Sequence, residues 1–368
     1  MYGTKFTAQV IVFILSLVGT IWLLKPLKRF GQQQPPSLEN DTPYPKLYYR
    51  KKAEEGSSSL IFRILQIADI HLGEEEATDW GPEQDRKTWI ALNRTIQAEG
   101  KDNIDLLVLS GDQITANNID RNATAYYQLL AHHLSSYGIP FAMIMGNHED
   151  MAFEYFDKDG NRQYQPAKTS RRQLVESLSS FPLSLTRVGP PSVFGVSNYW
   201  LDLWQDSTTI GSRVVFMDSG GGTIPLKISQ TQLDWFALSN QPIDLPVVAF
   251  CHIPTQEFKR TNAVCQGEAN EGVDSLEQDA GLIPSLQAPG NVHFLAVGHN
   301  HGNDYCCATS SDTLHLCYGR HSGYGGYGRW ERGARVYELE ISNTSSFSWR
   351  SYVRLESGAI QDIYSPAL

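Results

Sequence analysis

The chain has 368 residues, 41% hydrophobic and 19% charged, with a formal net charge of −10. That composition is globular and excludes a disordered chain, and the length allows one large domain or two ordinary ones. The acidic balance excludes nucleic acid as the main partner, because a phosphate backbone is held by a basic face.

Phe6 to Leu24 is an uncharged, nearly continuous apolar run of nineteen residues, against about 20 for a bilayer-spanning helix. A cleaved signal peptide has a shorter apolar core and small residues at its cleavage site, whereas Gly19 and Thr20 lie inside this run. We read it as an uncleaved signal anchor, an N-terminal transmembrane helix within residues 1–30. Lys25, Lys28 and Arg29 behind the run favour a cytosolic remainder, since positive flanks stay inside. Four Asn-x-Ser/Thr sequons, at Asn40, Asn93, Asn122 and Asn343, and five cysteines favour the opposite side, where glycosylation and disulfides occur. The expectation is a single-pass membrane protein with its folded domain lumenal or extracellular, the cytosolic orientation staying open. Residues 31–59, rich in Gln, Pro, Ser and charge, read as a flexible tether, and residues 60–368 as the domain.

Beyond the tether, short apolar runs alternate with helical patterns, the sign of strands buried on both faces in an α/β sheet. Strands are expected at Leu60–Ile67, Ile104–Leu109 and Pro140–Met145, with helices at Arg86–Ala98 and Ala123–Ser136 between them. Asp150–Lys168 is a polar and aromatic interruption, a loop of a length that is usually functional or disordered. After it come a helix at Ser170–Ser179, a strand at Arg213–Met217 and a helix at Ser229–Leu238. Strands follow at Pro246–Cys251, Val292–Val297 and Leu314–Tyr318, and Ala334–Ile341 with Trp349–Leu355 alternates like an antiparallel pair.

Five polar clusters recur down the chain: Asp69-Ile70-His71, Gly111-Asp112-Gln113, Gly146-Asn147-His148-Glu149, His252, and Gly298-His299-Asn300-His301. Alone, Asp-x-His and Gly-Asp-Gln are common turns, His252 a satisfied strand-end histidine, and Gly-His-x-His suits a metal site of another sort; Gly-Asn-His-Glu is less easily dismissed. Together, in this order and each just after an expected strand, they sit where ligands bind in α/β sheets. Their mixture of carboxylate, imidazole and amide suits two adjacent metal ions. Residues i and i+2 of an extended chain point the same way, which brings Asp69 to His71 and His299 to His301. Asp112 can bridge two ions about 3.5–4 Å apart. Asp69, His71 and His301 would complete one shell; Asn147, His252 and His299 would complete the other. The more anionic shell favours a harder ion, and the other suits Zn, Mn or ferrous iron. Gly111, Gly146 and Gly298 let the backbone turn sharply beside the ions. Such a site hydrolyses phosphate esters with a bridging hydroxide as nucleophile. His148 is then free to protonate the leaving oxygen, with Glu149 orienting its ring.

The order D-x-H, G-D-x, G-N-H-(D or E), H, G-H-x-H resembles the calcineurin-like metallophosphoesterases, from about Leu60 to Leu339. Within them the chain is most similar to the short purple-acid-phosphatase-like branch of plants and fungi, through Gly138–Glu149, Phe181–Leu185, Gly195–Tyr199 and Leu316–Gly319 with its Gly/Tyr run. The resemblance implies a four-layer α/β/β/α sandwich with a two-metal site (Fe, Zn or Mn) at one sheet edge. It also implies phosphomonoesterase activity on a phosphorylated small molecule or phosphoprotein; a diester or nucleotide is the alternative substrate on the same core. True purple enzymes have D-x-G and a tyrosine three residues after the second aspartate. Here His71 and Thr115 stand there, so a tyrosinate-coloured centre is not expected.

Outside the clusters, His321 in the Gly/Tyr run is a candidate substrate contact from a flexible loop, alongside Asn147 and His148. Lys259, Arg260 and the segment Thr255–Asn270 read equally as a substrate wall or a solvated loop. His132 and His133 read as solvated or packed, and His293 and His315 as structural. Cys251 is expected to be a packed free thiol. Cys306 and Cys317 flank a turn and would reach one another, with no pairing fixed by the sequence.

Overall fold

A computed structural model describes residues 45–53, 58–119, 122–240, 244–260, 265–309, 313–342 and 346–366. The expected transmembrane helix and residues 31–44 of the tether lie outside them. Among the described residues no helix is long and apolar enough to cross a membrane.

The strands run in chain order as β1 (Leu47–Tyr48), β2 (Arg50–Lys51), β3 (Leu60–Ile67), β4 (Leu106–Leu109), β5 (Phe141–Met143), β6 (Phe153–Phe156), β7 (Arg162–Gln165), β8 (Tyr199–Trp204), β9 (Ile210–Met217) and β10 (Lys227–Ile228). They continue as β11 (Val247–Cys251), β12 (Cys265–Gln266), β13 (Gln278–Asp279), β14 (Val292–Val297), β15 (Cys306–Ala308), β16 (His315–Tyr318), β17 (Gly333–Ile341), β18 (Phe347–Leu355) and β19 (Ile360–Tyr364). The α-helices are α1 (Trp80–Glu99), α2 (Ala123–Ser135), α3 (Arg171–Glu176), α4 (Gln230–Ser239) and α5 (Leu282–Gln287).

One sheet has the order β19-β18-β17-β3-β4-β5, with β2 pairing on β3; the other has the order β1-β8-β9-β11-β14-β16-β15-β12. β3, β4 and β5 are parallel, as are β9, β11, β14 and β16.

Alternation along the strands builds the layers. Phe62, Ile64, Leu106 and Val108 meet Phe216, Val248, Phe250 and Phe294 in a core between the sheets. Their neighbours Leu65, Ile67, Leu107 and Leu109 turn the other way onto Leu92 and Ile96 of α1 and Tyr127, Leu130 and Leu134 of α2. On the far side, Val247, Ala249 and Leu295 pack on Leu233, Trp235 and Phe236 of α4 and Leu282 and Leu286 of α5. Strands buried on both faces thus give helix, sheet, sheet and helix layers. The fully buried Phe62, Phe216, Phe250 and Phe294 contribute about 1.5–3 kcal/mol each.

Several expectations need correction. The ordered fold takes in part of the tether, since Leu47 pairs with Leu203 and Arg50 with Ile61. Helix α1 starts at Trp80, six residues before the expected start, because Pro82 falls in its first turn, where no intrahelical N–H is needed. The stretch read as a loop at Asp150–Lys168 contains the β6–β7 hairpin. Strands β8, β15 and β19 and helix α5 carried no expectation. Of the sequons, Asn93 lies inside α1 with Thr95 2% exposed, and Asn122 caps α2 through Thr124 N. Asn40 and Asn343 fall outside the described residues.

Candidate metal centre

Every cluster falls at the carboxyl end of a parallel strand: Asp69 and His71 after β3, Asp112 after β4, Asn147 and His148 after β5, His252 after β11, His299 and His301 after β14. The loops bond to one another there. His71 N donates to Asp112 O (3.0 Å), Gly298 N to His252 O (2.9 Å), and His148 N to Asp112 Oδ1 (2.8 Å). His299 N donates to Asp69 Oδ1 at 3.0 Å, joining the two sheets.

Contrary to what their i, i+2 spacing predicts, these side chains do not converge through extended chain. Asp69, His71, Asp112 and His299 have φ of 56°, 49°, 51° and 73°, so they converge through left-handed turns and not through extended chain. Such backbone costs about 1–3 kcal/mol per residue and gathers at functional sites.

Donor atoms within 4.8 Å of one another form three overlapping groups: Asp69, His71 and His301; His71, Asp112 and His148; Asp112, His252 and His299. Asp112 belongs to two of them. Its Oδ2 lies 3.1 Å from His252 Nε2 and 3.7 Å from His71 Nε2. Asn147 Oδ1 stands 3.1 Å from His252 Nε2.

The hydrogen bonds fix what these rings present. His252 Nδ1 donates to Ser110 O (2.8 Å) and His301 Nδ1 to Tyr327 O (3.2 Å), the outer bond that typifies metal-ligating histidines. When neutral, each turns its Nε2 lone pair on a carboxylate: Asp112 for His252, and Asp69 Oδ1, at 3.8 Å, for His301. Two acceptors facing one another need a proton or a cation between them.

Electrostatics decides which. Burial brings the His301 imidazole down to about 3 and that of His299 to about 4; burial also holds His71 well below its ordinary value. These rings are neutral and offer lone pairs. Burial works the same way on His252, but Asp112 outweighs it and lifts that ring to about 9. Burial raises the Asp69 carboxyl to about 7, against the pull of His252. The donor set fits two metal ions: Asp69, His71 and His301 make one group and Asp112, His252 and His299 another, with the His252 proton the one an ion would displace.

Around the donors lies a cavity of about 300 Å³, with His71, Asp112, His148, His299 and His301 in its wall. His148 is half-buried, and its Nδ1 meets Asn117 Oδ1 at 3.2 Å. Asn117, not Glu149, orients that ring. Glu149 is fully buried and accepts the N–H groups of Gln113 (2.7 Å) and Gly146 (2.8 Å), bracing two of the loops. Thr115, standing where purple enzymes have tyrosine, meets His71 Nδ1 at 3.0 Å, so the two departures from the purple pattern are one contact.

His321 does not reach toward substrate. It is fully buried, its ring 4.0 Å from that of His301, and burial, with the Arg332 guanidinium adding to it, keeps it neutral. Lys259 is exposed and lies off the cavity, whose outer wall comes from Glu74, Asp274 and Tyr327. Cys251 is a buried free thiol. Cys306 pairs with Cys317 and Cys265 with Cys307.

A sequence model described as calcineurin-like phosphoesterase matches residues 62–303. Among curated relatives, an Arabidopsis thaliana protein named probable inactive purple acid phosphatase 29 is 28% identical over 78% of this chain and 79% of its own. Phosphatase DCR2 of Saccharomyces cerevisiae is 29% identical over 78% of this chain and 53% of its own. Among solved structures, the purple acid phosphatase PPD1 of yellow lupin aligns with 86% of this chain and 55% of its own, at 13% identity and a TM-score of 0.49.

Proposed function

The chain belongs to the calcineurin-like phosphoesterase family, and we propose that it is a dimetal phosphatase hydrolysing phosphate monoesters, phosphoproteins among them. The observation that carries this reading is the overlap of the donor groups on Asp112, which suits a carboxylate shared by two ions. We take the pair to be drawn from Fe, Zn and Mn. Two cations there would lower the pKa of a water and polarise a phosphoryl oxygen. Asn147 holds an oxygen of the phosphate. His148, its Nδ1 engaged by Asn117, turns Nε2 to the ester and hands a proton to the leaving oxygen.

Three Arabidopsis relatives carry names beginning "probable inactive". A vestigial site is expected to have lost donors; the full set of seven together with His148 supports an active enzyme here. We further propose a single-pass anchor at Phe6–Leu24 and a lumenal or extracellular domain. The two disulfides support an oxidising compartment.

The test is hydrolysis of p-nitrophenyl phosphate by the full-length protein, beside phosphopeptides, sugar phosphates and a bis-ester. We expect monoester turnover that Asp112→Asn reduces by at least about 10²-fold, a loss already seen for partners one shell further from a metal. Unchanged turnover in that variant rejects the mechanism, and turnover of the bis-ester alone moves the substrate to diesters.

A further inference from the structure

We propose that Arg171, outside every motif, is the positioning residue for one half of the metal centre: it fixes Asn147 and His252 and so sets the affinity of the ion they hold. The proposal rests on the reading of these residues as ligands.

Arg171 is the first residue of α3, with 2% of its surface exposed. Its Nη1 donates to Asp150 Oδ1 (2.8 Å) and to Gly221 O (3.1 Å); its Nη2 donates to Asp218 Oδ1 (2.8 Å) and to Gly220 O (3.3 Å). Asp150 closes the loop that carries Asn147 and His148, and Asp218 opens the loop after β9. One guanidinium thus staples these two loops face to face, a geometry that its planar fork satisfies and a lysine cannot. Thr223 Oγ1 adds a second tie to Asp150.

The stapled loop is the bed on which Asn147 lies. A Cβ at Gly221 would come 2.3 Å from Asn147 Cβ and 2.6 Å from its Cα, so the two backbones are in full contact. The same loop reaches His252 from the other side, since Ser219 Oγ accepts the N–H of Ile253 at 3.1 Å. Asn147 and His252 then meet at 3.1 Å. Asp69, His71 and His301 make none of these contacts; their supports are Thr115, Tyr327 and His299 N. The staple therefore bears directly on one half-site, and reaches the other only through Asp112, whose Oδ1 takes the His148 N–H.

The experiment titrates the full-length protein with Mn²⁺ alone, by calorimetry and by electron paramagnetic resonance, which separates a coupled pair of ions from an isolated one. We expect Arg171→Met to weaken the second ion by about 10–100-fold, the range for residues that orient ligands, and to leave the first within twofold, with the isolated-ion spectrum prevailing at one equivalent. Arg171→Lys should recover part of the loss. If Arg171→Met does not fold, Gly221→Ala, which keeps the buried charges and disturbs the same contact, is expected to give the same split. Two ions bound as in the parent protein, or both weakened alike, overturns the proposal. A parent protein that takes up no pair of Mn²⁺ ions overturns instead the dimetal reading beneath it.

Discussion

Two short polar side chains decide how two of this site's histidines are held, while backbone carbonyls hold His252 and His301. Asn117 faces His148 and Thr115 faces His71, each at the ring's Nδ1. With Nδ1 engaged, His148 has only Nε2 to offer a substrate, in a fixed ring plane. Asn117→Ala releases the ring without removing any metal donor. We expect kcat to fall about 10–100-fold, as for other partners that orient a reacting imidazole, while metal content, read by elemental analysis, stays at its parent value. A fall in both would mean that Asn117 supports the fold and not the ring. Thr115 is legible in the sequence only as the residue standing where purple enzymes have tyrosine, and Asn117 has no signature there at all. Asn117 lies 31 residues from its partner, and a single Asn has no spacing to recognise. The metal donors, by contrast, were legible because carboxylate, imidazole and glycine recur together after apolar runs. What the pattern did not carry was the backbone that aims them, since left-handed φ at Asp69 and His71 is not written in residue type.

The Gly/Tyr segment was read as a flexible loop, and its glycines serve the opposite purpose. At Gly325 a Cβ would stand 2.3 Å from His71 O and 2.7 Å from His71 Cβ. The loop lies flat on the chain leaving β3, and only glycine leaves room for it. Gly325→Ala should push His71 off its ion. The expected result is weaker Mn²⁺ binding at the half of the site holding Asp69 and His301, the other half being spared, which is the reverse of the Arg171 pattern in the same titration. Strands showed a similar divide. β11 and β14, apolar throughout because both faces are covered, were read with their ends correct to a residue. β8 was missed, for Asp202 interrupts its apolar pattern; the sheet satisfies that charge across the strand pair, with Arg213 Nε 2.7 Å away. The β6–β7 hairpin escaped for a different reason, its exposed Phe156 and Tyr164 giving no buried face to alternate with.

Across the whole molecule, groups that are not metal donors contribute to how stability responds to pH, and two of them oppose each other. Burial, helped by the neighbouring His315, lowers the His293 imidazole from 6.5 to about 4. The unfolded chain takes up a proton below pH 6.5 that the native ring refuses until about 4, so this group's contribution is present above 6.5 and is lost as pH falls through that window. Burial raises the Asp85 carboxyl from 3.8 to about 6, Glu74 and Glu76 adding to it against the Gly73 N–H. The native state then holds a proton that the unfolded chain has released; this contribution is full below 3.8 and disappears as pH rises through 6. Each is worth roughly 1–3 kcal/mol at its limit. Between pH 4 and 6 these two slopes offset one another, on a parent profile that the buried imidazoles of the site also shape. Single variants unmask each as a difference from the parent. His293→Gln removes a loss, so its urea midpoint should climb against the parent as pH falls from 6 to 4. Asp85→Asn, which keeps an acceptor for Gly73, removes a gain, and its midpoint should drop against the parent over the same range. Parallel profiles for the two variants would show that neither group is desolvated as its burial requires.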